Sequence, residues 1–187
     1  MDYRALEQII CQGLVNTGKN EGGSLTAAFQ MFDDLPTSSF SFEQELSLAL
    51  IVPFFGALRG QMTFMIPWSS TGIFFPKDLG SLEGPANMTK EHVNYSLELG
   101  SRFCSSVLAA FKSKIQLPAA TGQPSIIVEM AMPLMQTLAV ESARRRLTVL
   151  PGRLTLGRDE SVLQGYAFFC APASKLRLAK ASQQEAA

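Results

Sequence analysis

The sequence predicts an α+β fold, an antiparallel sheet with helices packed on one face, and three observations carry that expectation. Val93, Leu97, Gly100, Cys104, Val107, Leu108 and Phe111 recur at helical spacing, giving an apolar stripe down about six turns. Two strand-like runs, Leu46 to Phe55 and Gln61 to Ile66, are joined through Gly56-Ala-Leu-Arg-Gly60, a hairpin signal with glycine where a turn needs positive φ. The last third of the chain is a run of short apolar segments divided by turn residues. Strands followed closely by strands, with helices set apart from them, read as α+β rather than as alternating parallel units.

The elements follow in order. Leu6, Ile9, Ile10 and Leu14 predict an amphipathic first helix, interrupted at Gly18 and Gly22-Gly23, with Leu25 to Phe32 resuming as a second short helix. Leu35 to Phe42, rich in Pro, Ser and Thr, reads as a loop. After the hairpin, Pro67 ends the second strand, Trp68 to Phe75 begins a short helix, and Pro76 stops it. A Gly/Pro loop over Gly80 to Ala86 leads to the long helix, for which Thr89 is the N-cap and Glu91 the first-turn acid. Beyond it stand a strand from Ser125 to Met130 and a helical patch from Leu134 to Arg145. Strands over Leu147 to Leu150, Arg153 to Leu156 and Val162 to Cys170 follow, divided by Pro151-Gly152 and Gly157-Arg-Asp-Glu160. Residues 1–180 are expected to form a single domain and 181–187 a polar tail.

Composition excludes whole classes. The chain has 187 residues, 47% hydrophobic and 17% charged, enough to bury a core without a disulfide or metal staple. Sixteen basic residues balance sixteen acidic ones, so no net field attracts nucleic acid or anionic lipid. His92 is the only histidine, which removes His-rich zinc sites and any relay of two imidazoles. The three cysteines, Cys11, Cys104 and Cys170, form no CxxC pair and sit among apolar neighbours, as buried free thiols do in a reducing compartment. The N-terminal residues lack the basic start and apolar run of a signal peptide. The densest apolar stretch, Leu48 to Leu58, is about half the roughly 20 residues a membrane span requires. The expected location is the cytoplasm, with no membrane and no nucleic acid among the partners. In that setting the sequons at Asn87 and Asn94 carry no weight.

The common catalytic templates are missing: no GxxxxGK[ST], GxGxxG, HExxH or GxSxG stands in the sequence. Arg144-Arg-Arg146 follows Glu141 at a helix end, where cations complement the dipole. The pairs Phe54-Phe55, Phe74-Phe75 and Phe168-Phe169 read as core or subunit contacts, because no basic patch interleaves them. What remains is the polar side of the long helix. Glu91, Asn94, Glu98, Ser101 or Arg102, and Ser105 recur at steps of three or four and share one face. Periodicity alone makes that a solvated face with Glu98 paired to Arg102.

A resemblance gives this face a second meaning. The strand pair Leu50-Ile-Val-Pro-Phe-Phe-Gly-Ala-Leu-Arg-Gly-Gln-Met-Thr-Phe, then a loop, then a long helix carrying Glu98-Leu-Gly-Ser101, with 22 residues between Ser101 and Pro124, resembles the CheC/CheX/FliY family of bacterial chemotaxis phosphatases. The family signature is glutamate, two residues, asparagine, then a proline about 22 residues on. Small Ser105 matches a position that is often glycine there. The likeness covers residues 45 to 130, and within it the signature asparagine is replaced by Ser101. Glu91-His-Val-Asn94 spells the motif literally one heptad upstream, with 23 residues between Asn94 and Pro118.

The resemblance implies docking on a phosphorylated CheY-like receiver domain and hydrolysis of its aspartyl phosphate. Glu98 would contact a receiver lysine, and Ser101, or Asn94 in the other register, would orient the attacking water. Glu91, Arg102 and Ser105 complete the partner-binding face. No resident cofactor or metal is implied, since Mg²⁺ comes with the receiver. A serine hydroxyl reaches short of an asparagine amide by roughly 1 Å, and a misplacement of that size costs on the order of a hundredfold in rate. The alternative implied is therefore an inactive, dimeric receiver-binding module that lost the water-positioning asparagine. CheC-type relatives carry a second motif on their first helix; here Glu7-Gln-Ile-Ile10 puts isoleucine in that place, and Asn16 and Asn20 read as loop and cap residues.

Overall fold

The computed structural model describes residues 4–20, 25–32, 45–80, 82–158 and 160–177. The expected Gly22-Gly23 break, the loop from Leu35 to Phe42 and the tail at 181–187 lie outside the described residues. Helix α1 (Arg4–Asn20) is followed by strands β1 (Leu25–Met31), β2 (Leu46–Gly56) and β3 (Gly60–Pro67). Next come the short helix α2 (Thr71–Phe74), the long helix α3 (Lys90–Ile115), strands β4 (Ala119–Thr121) and β5 (Ser125–Met130), helix α4 (Ala131–Arg144), and strands β6 (Leu147–Arg158) and β7 (Ser161–Pro172).

The strands form one antiparallel sheet in the order β1-β6-β7-β3-β2, with β4 and β5 end to end along the outer edge of β2. The order has an internal symmetry. Exchanging β1 with β5, β2 with β6 and β3 with β7 reverses the list onto itself, so α1-β1-β2-β3 and α3-β5-α4-β6-β7 are two halves of one pattern. Helices α1 and α3 hold corresponding places in it.

Both long helices lie on one face, where the predicted Leu6, Ile9, Ile10 and Leu14 of α1 are buried with Leu99, Phe103, Cys104, Val107, Leu108 and Phe111 of α3. The helices touch at Gly13, where an added Cβ would stand 2.5 Å from the Val107 Cα, so only glycine allows this approach. Beneath them Phe169 is sandwiched by Phe111, nearly parallel at 4.9 Å, and Phe54 at 5.3 Å. The α+β class and the antiparallel sheet are as predicted, and the helix placement gains a detail. The shorter α4 covers part of the other face, burying Ala131 and Leu138 against Ala49, Met65, Tyr166 and Phe168.

Three local expectations are corrected. Helix α1 runs through Gly18, so Asn16 is helical rather than in a loop, accepting from Gln12 Nε2 at 2.9 Å, and Asn20 is the last of its described residues. Residues 25–31 form a strand, not a second helix, with Ala27 and Phe29 buried and Thr26, Ala28 and Gln30 exposed. That period of two is faint in an alanine-rich segment. Strand β6 passes unbroken through Pro151-Gly152. The Pro151 carbonyl accepts from Phe32 N–H at 2.9 Å, which places its missing donor on the β1 side, where that ladder ends, and leaves the β7 ladder whole. Gly152 lies under the Phe29 ring, 2.3 Å from where a Cβ would stand. Proline and glycine here accommodate a neighbour instead of turning the chain.

Pro53 acts in the same way within β2. Its carbonyl accepts from Gly122 N–H at 2.7 Å, so its missing donor falls in the joint between β4 and β5. The hairpin glycine is used as expected, since Gly56 has φ 134°.

Candidate functional site: the outward face of helix α3

Helix α3 begins at the predicted N-cap. Thr89 Oγ1 accepts from His92 N–H at 3.4 Å, and His92 Nδ1 in turn accepts from Thr89 N–H at 3.3 Å, so the only histidine completes a capping box. The His92 ring is buried and meets the Phe75 ring edge-on at 4.7 Å. Phe74 and Phe75 also pack on Tyr95, with centroids 5.9 and 6.0 Å away. The segment after β3 thus clamps the start of α3 along its His92 and Tyr95 side, and Arg158 of β6 lies over the Tyr95 ring and bonds to its hydroxyl.

The helix turns a slightly different side inward than the sequence stripe indicated. Its buried residues include Ser96, Leu99, Gly100, Phe103, Cys104, Val107 and Phe111, while Val93 and Leu97 are only half-buried on one flank. On the buried side His92 is held against Phe75, and Ser96 Oγ donates to the His92 carbonyl at 2.8 Å. The opposite side carries Glu91, Asn94, Glu98, Arg102 and Ser105, all exposed, with Ser101 half-buried beside them. Both motif registers therefore open on one outward face. Glu98 pairs with Arg102 one turn on, with side chains 63% and 50% exposed. In water such a pair is worth only a few tenths of a kcal/mol, so a docking partner can displace it cheaply. Ser105 Oγ is 3.5 Å from Thr121 Oγ1 of β4, which borders the face at its C-terminal end.

The remaining reactive groups lie elsewhere. Burial raises the Cys104 and Cys170 thiols from 9.0 to about 12, which leaves them protonated and inert at neutral pH. Cys11 is half-buried on α1. No group of three His, Cys, Asp or Glu side chains among the described residues stands close enough to hold a metal ion. No helix among them is long and apolar enough to cross a membrane. Sequence reasoning missed His92 as the cap partner, although the Thr-x-x-His spacing is that of a capping box. It also missed Arg158 on Tyr95, for which a contact across 63 residues leaves no local signal.

With this geometry in view, the likeness to known structures is informative. FliY from Thermotoga maritima superposes with a TM-score of 0.68 at 10% identity, covering 96% of this chain and 94% of that one. A chain of the CheX–CheY–BeF3–Mg complex from Borrelia burgdorferi gives 0.55 at 10% identity, over 90% of this chain and 97% of that one. A chain of the FliG–FliM complex from H. pylori gives 0.56 at 11% identity, over 94% and 96%. No protein-family model and no curated protein matches the sequence. The fold is that of the CheC/CheX/FliY fold family, to which FliM middle domains also conform.

Proposed function

We propose that this protein docks the outward face of α3 on a phosphorylated CheY-like receiver domain and hydrolyses its aspartyl phosphate weakly. The observation that carries the reading is the position of Glu98, held out from the middle of the long helix at 63% exposure on a fold shared with a CheX found in complex with CheY. A docking carboxylate must reach solvent, and this one does. In the proposed complex Glu98 leaves Arg102 for a receiver lysine, and Arg102 turns to a receiver carboxylate. Ser101, or Asn94 one heptad earlier, holds the attacking water. The protein contributes positioning, as is usual in phosphoryl transfer, and the magnesium ion belongs to the receiver. The proposed setting is the cytoplasm.

A second reading is favoured by Ser101 itself. It is half-buried, shorter than asparagine, and stands beside a Glu98 already engaged by Arg102. Under that reading the protein is a silent receiver-binding module, paired with a second copy through the outer edges of β1 or of β4 and β5, which no other described strand covers. FliM likenesses fit it as well as CheX does.

The test is phosphate release from a CheY-like receiver phosphorylated with a small-molecule donor. The parent chain is compared with Glu98→Ala, Asn94→Ala and Ser101→Asn. Acceleration by the parent that vanishes in Glu98→Ala supports the phosphatase, and Asn94→Ala decides the register. An inert parent made active by Ser101→Asn supports the silent module. Acceleration that survives Glu98→Ala and Asn94→Ala alike would remove α3 from the account.

A further inference from the structure

The sheet face opposite α3 carries a groove that nothing in the receiver-docking reading uses. Between α4 and the strands β5, β2 and β3 lies a cavity of about 240 Å³, walled by Ile51, Ile127, Leu134 and Thr137 and floored by Thr63. Thr63 Oγ1 is buried with no hydrogen-bond partner among the described residues. Ile127 is 41% exposed, unusual for an isoleucine in a sheet covered by a helix. Arg145 borders this cavity and also a second hollow of about 410 Å³ with Phe55, Arg59 and Leu147. There Phe55, which stands over Gly122, is 62% exposed. The two hollows share Arg145 and lie side by side as a trough with Phe55 at its end.

Basic side chains outnumber acidic ones around that end. Arg59 and Arg145 line it and are exposed, and Arg144 and Arg146 flank Arg145 in the chain, also exposed. The acid among them, Glu141, is shared by Arg144 and Arg145 at 3.6 and 3.5 Å. At the far end, Glu129 stands on the same face of β5 and accepts from Met130 N–H at 2.8 Å. The trough is thus walled mainly by apolar side chains over the Thr63 hydroxyl, with Arg59 and Arg145 where Phe55 projects. Exposed aromatic and arginine side chains around an apolar depression are the composition of an interface centre.

We propose that this trough is a docking site for an acidic peptide segment of another protein that carries a large apolar side chain as its anchor. The anchor enters beside Ile127 and Leu134, and carboxylates of the segment meet Arg59 and Arg145. This site is on the other side of the sheet from α3, so the protein would hold two partners at once.

The test uses a fluorescein-labelled peptide, Glu-Glu-Leu-Leu-Phe-Glu-Glu, and its lysine counterpart, Lys-Lys-Leu-Leu-Phe-Lys-Lys, titrated with the full chain by fluorescence anisotropy. Saturable binding of the acidic peptide is expected, about tenfold or more tighter than the basic one, and weakening with salt. Phe55→Ser and Arg59→Glu alter exposed side chains, and each is expected to weaken the acidic peptide about tenfold; circular dichroism checks that both stay folded. Ser101→Asn and Glu98→Ala are expected to leave peptide binding unchanged, which separates this site from α3. Absence of saturable binding, equal binding of the two peptides, or insensitivity to both trough variants would overturn the proposal. So would sedimentation showing a dimer that Phe55→Ser dissolves, since a second copy would then be the occupant.

Discussion

Helices α1 and α3 hold corresponding places in the two halves of the sheet and treat a glutamate in different ways. On α1, Glu7 is half-buried and accepts from Met31 N–H of its own sheet at 3.0 Å, and the residue three positions on, Ile10, is fully buried. On α3, Glu98 faces solvent in an exposed pair with Arg102, and the residue three positions on, Ser101, is half-buried at the edge of the outward face. A carboxylate bonded to a backbone donor of its own fold is structural, because releasing it strands that donor. A carboxylate in an exposed ion pair gives up little on changing partners. The first half of the molecule has spent its helix on the core, and the second has kept a face available.

The largest expected effect breaks that asymmetry from the α1 side. Ile10→Asn, which writes the family signature into the first helix, buries an amide where no exposure remains. It should cost about 3 kcal/mol or more, read as a lower urea midpoint. Ser101→Asn, the same change of motif on α3, should cost under about 0.5 kcal/mol because the site borders solvent. Next comes the crossing between the two helices. Gly13→Ala gains roughly 1 kcal/mol of helix propensity, but its Cβ meets Val107 backbone at 2.5 Å. Separating the helices should outweigh the gain and leave a net loss of about 2 kcal/mol by thermal or urea unfolding.

A smaller effect tests the start of α3. Thr89→Ala removes the Oγ1 that accepts from His92 N–H and should lower stability by about 1 kcal/mol. The thiols sharpen the contrast at alkaline pH. Because burial raises Cys104 and Cys170 to about 12, the folded state holds their protons after the unfolded chain has lost them. Their contribution is whole below about pH 9 and is lost as pH climbs toward the folded values, so stability should decline over that window. A thiol reagent at neutral pH should modify Cys11 of α1 in the native protein and leave Cys104 of α3 untouched until unfolding.

Much of the architecture was legible because its signals are local. The β2–β3 hairpin, the Thr89 cap, the extent of α3 and the strand at Ser125 to Met130 each follow from periodicity or turn chemistry within a dozen residues. What misled was punctuation. Pro151-Gly152 reads as a turn, yet the proline lies where a ladder ends and the glycine makes room for Phe29. Gly18 reads as a helix break, yet α1 passes through it. The candidate face was legible as a stripe of polar residues, but its rotation was not. Val93 and Leu97 are only half-buried, while His92 and Tyr95 are packed by Phe74, Phe75 and Arg158, which stand outside the helix in sequence.

The proposed role of α3 requires that a receiver dock on its outward face. The most direct measurement is binding of a phosphorylated CheY-like receiver by calorimetry, comparing the parent with Glu98→Lys. Both ends of the Glu98–Arg102 pair are exposed, so the reversal should leave the fold intact while placing two like charges where the partner lysine would arrive. The expected result is saturable binding by the parent and loss of binding, by about tenfold or more, in Glu98→Lys. A variant that binds the receiver as the parent does, or a parent that does not bind it, would contradict the account.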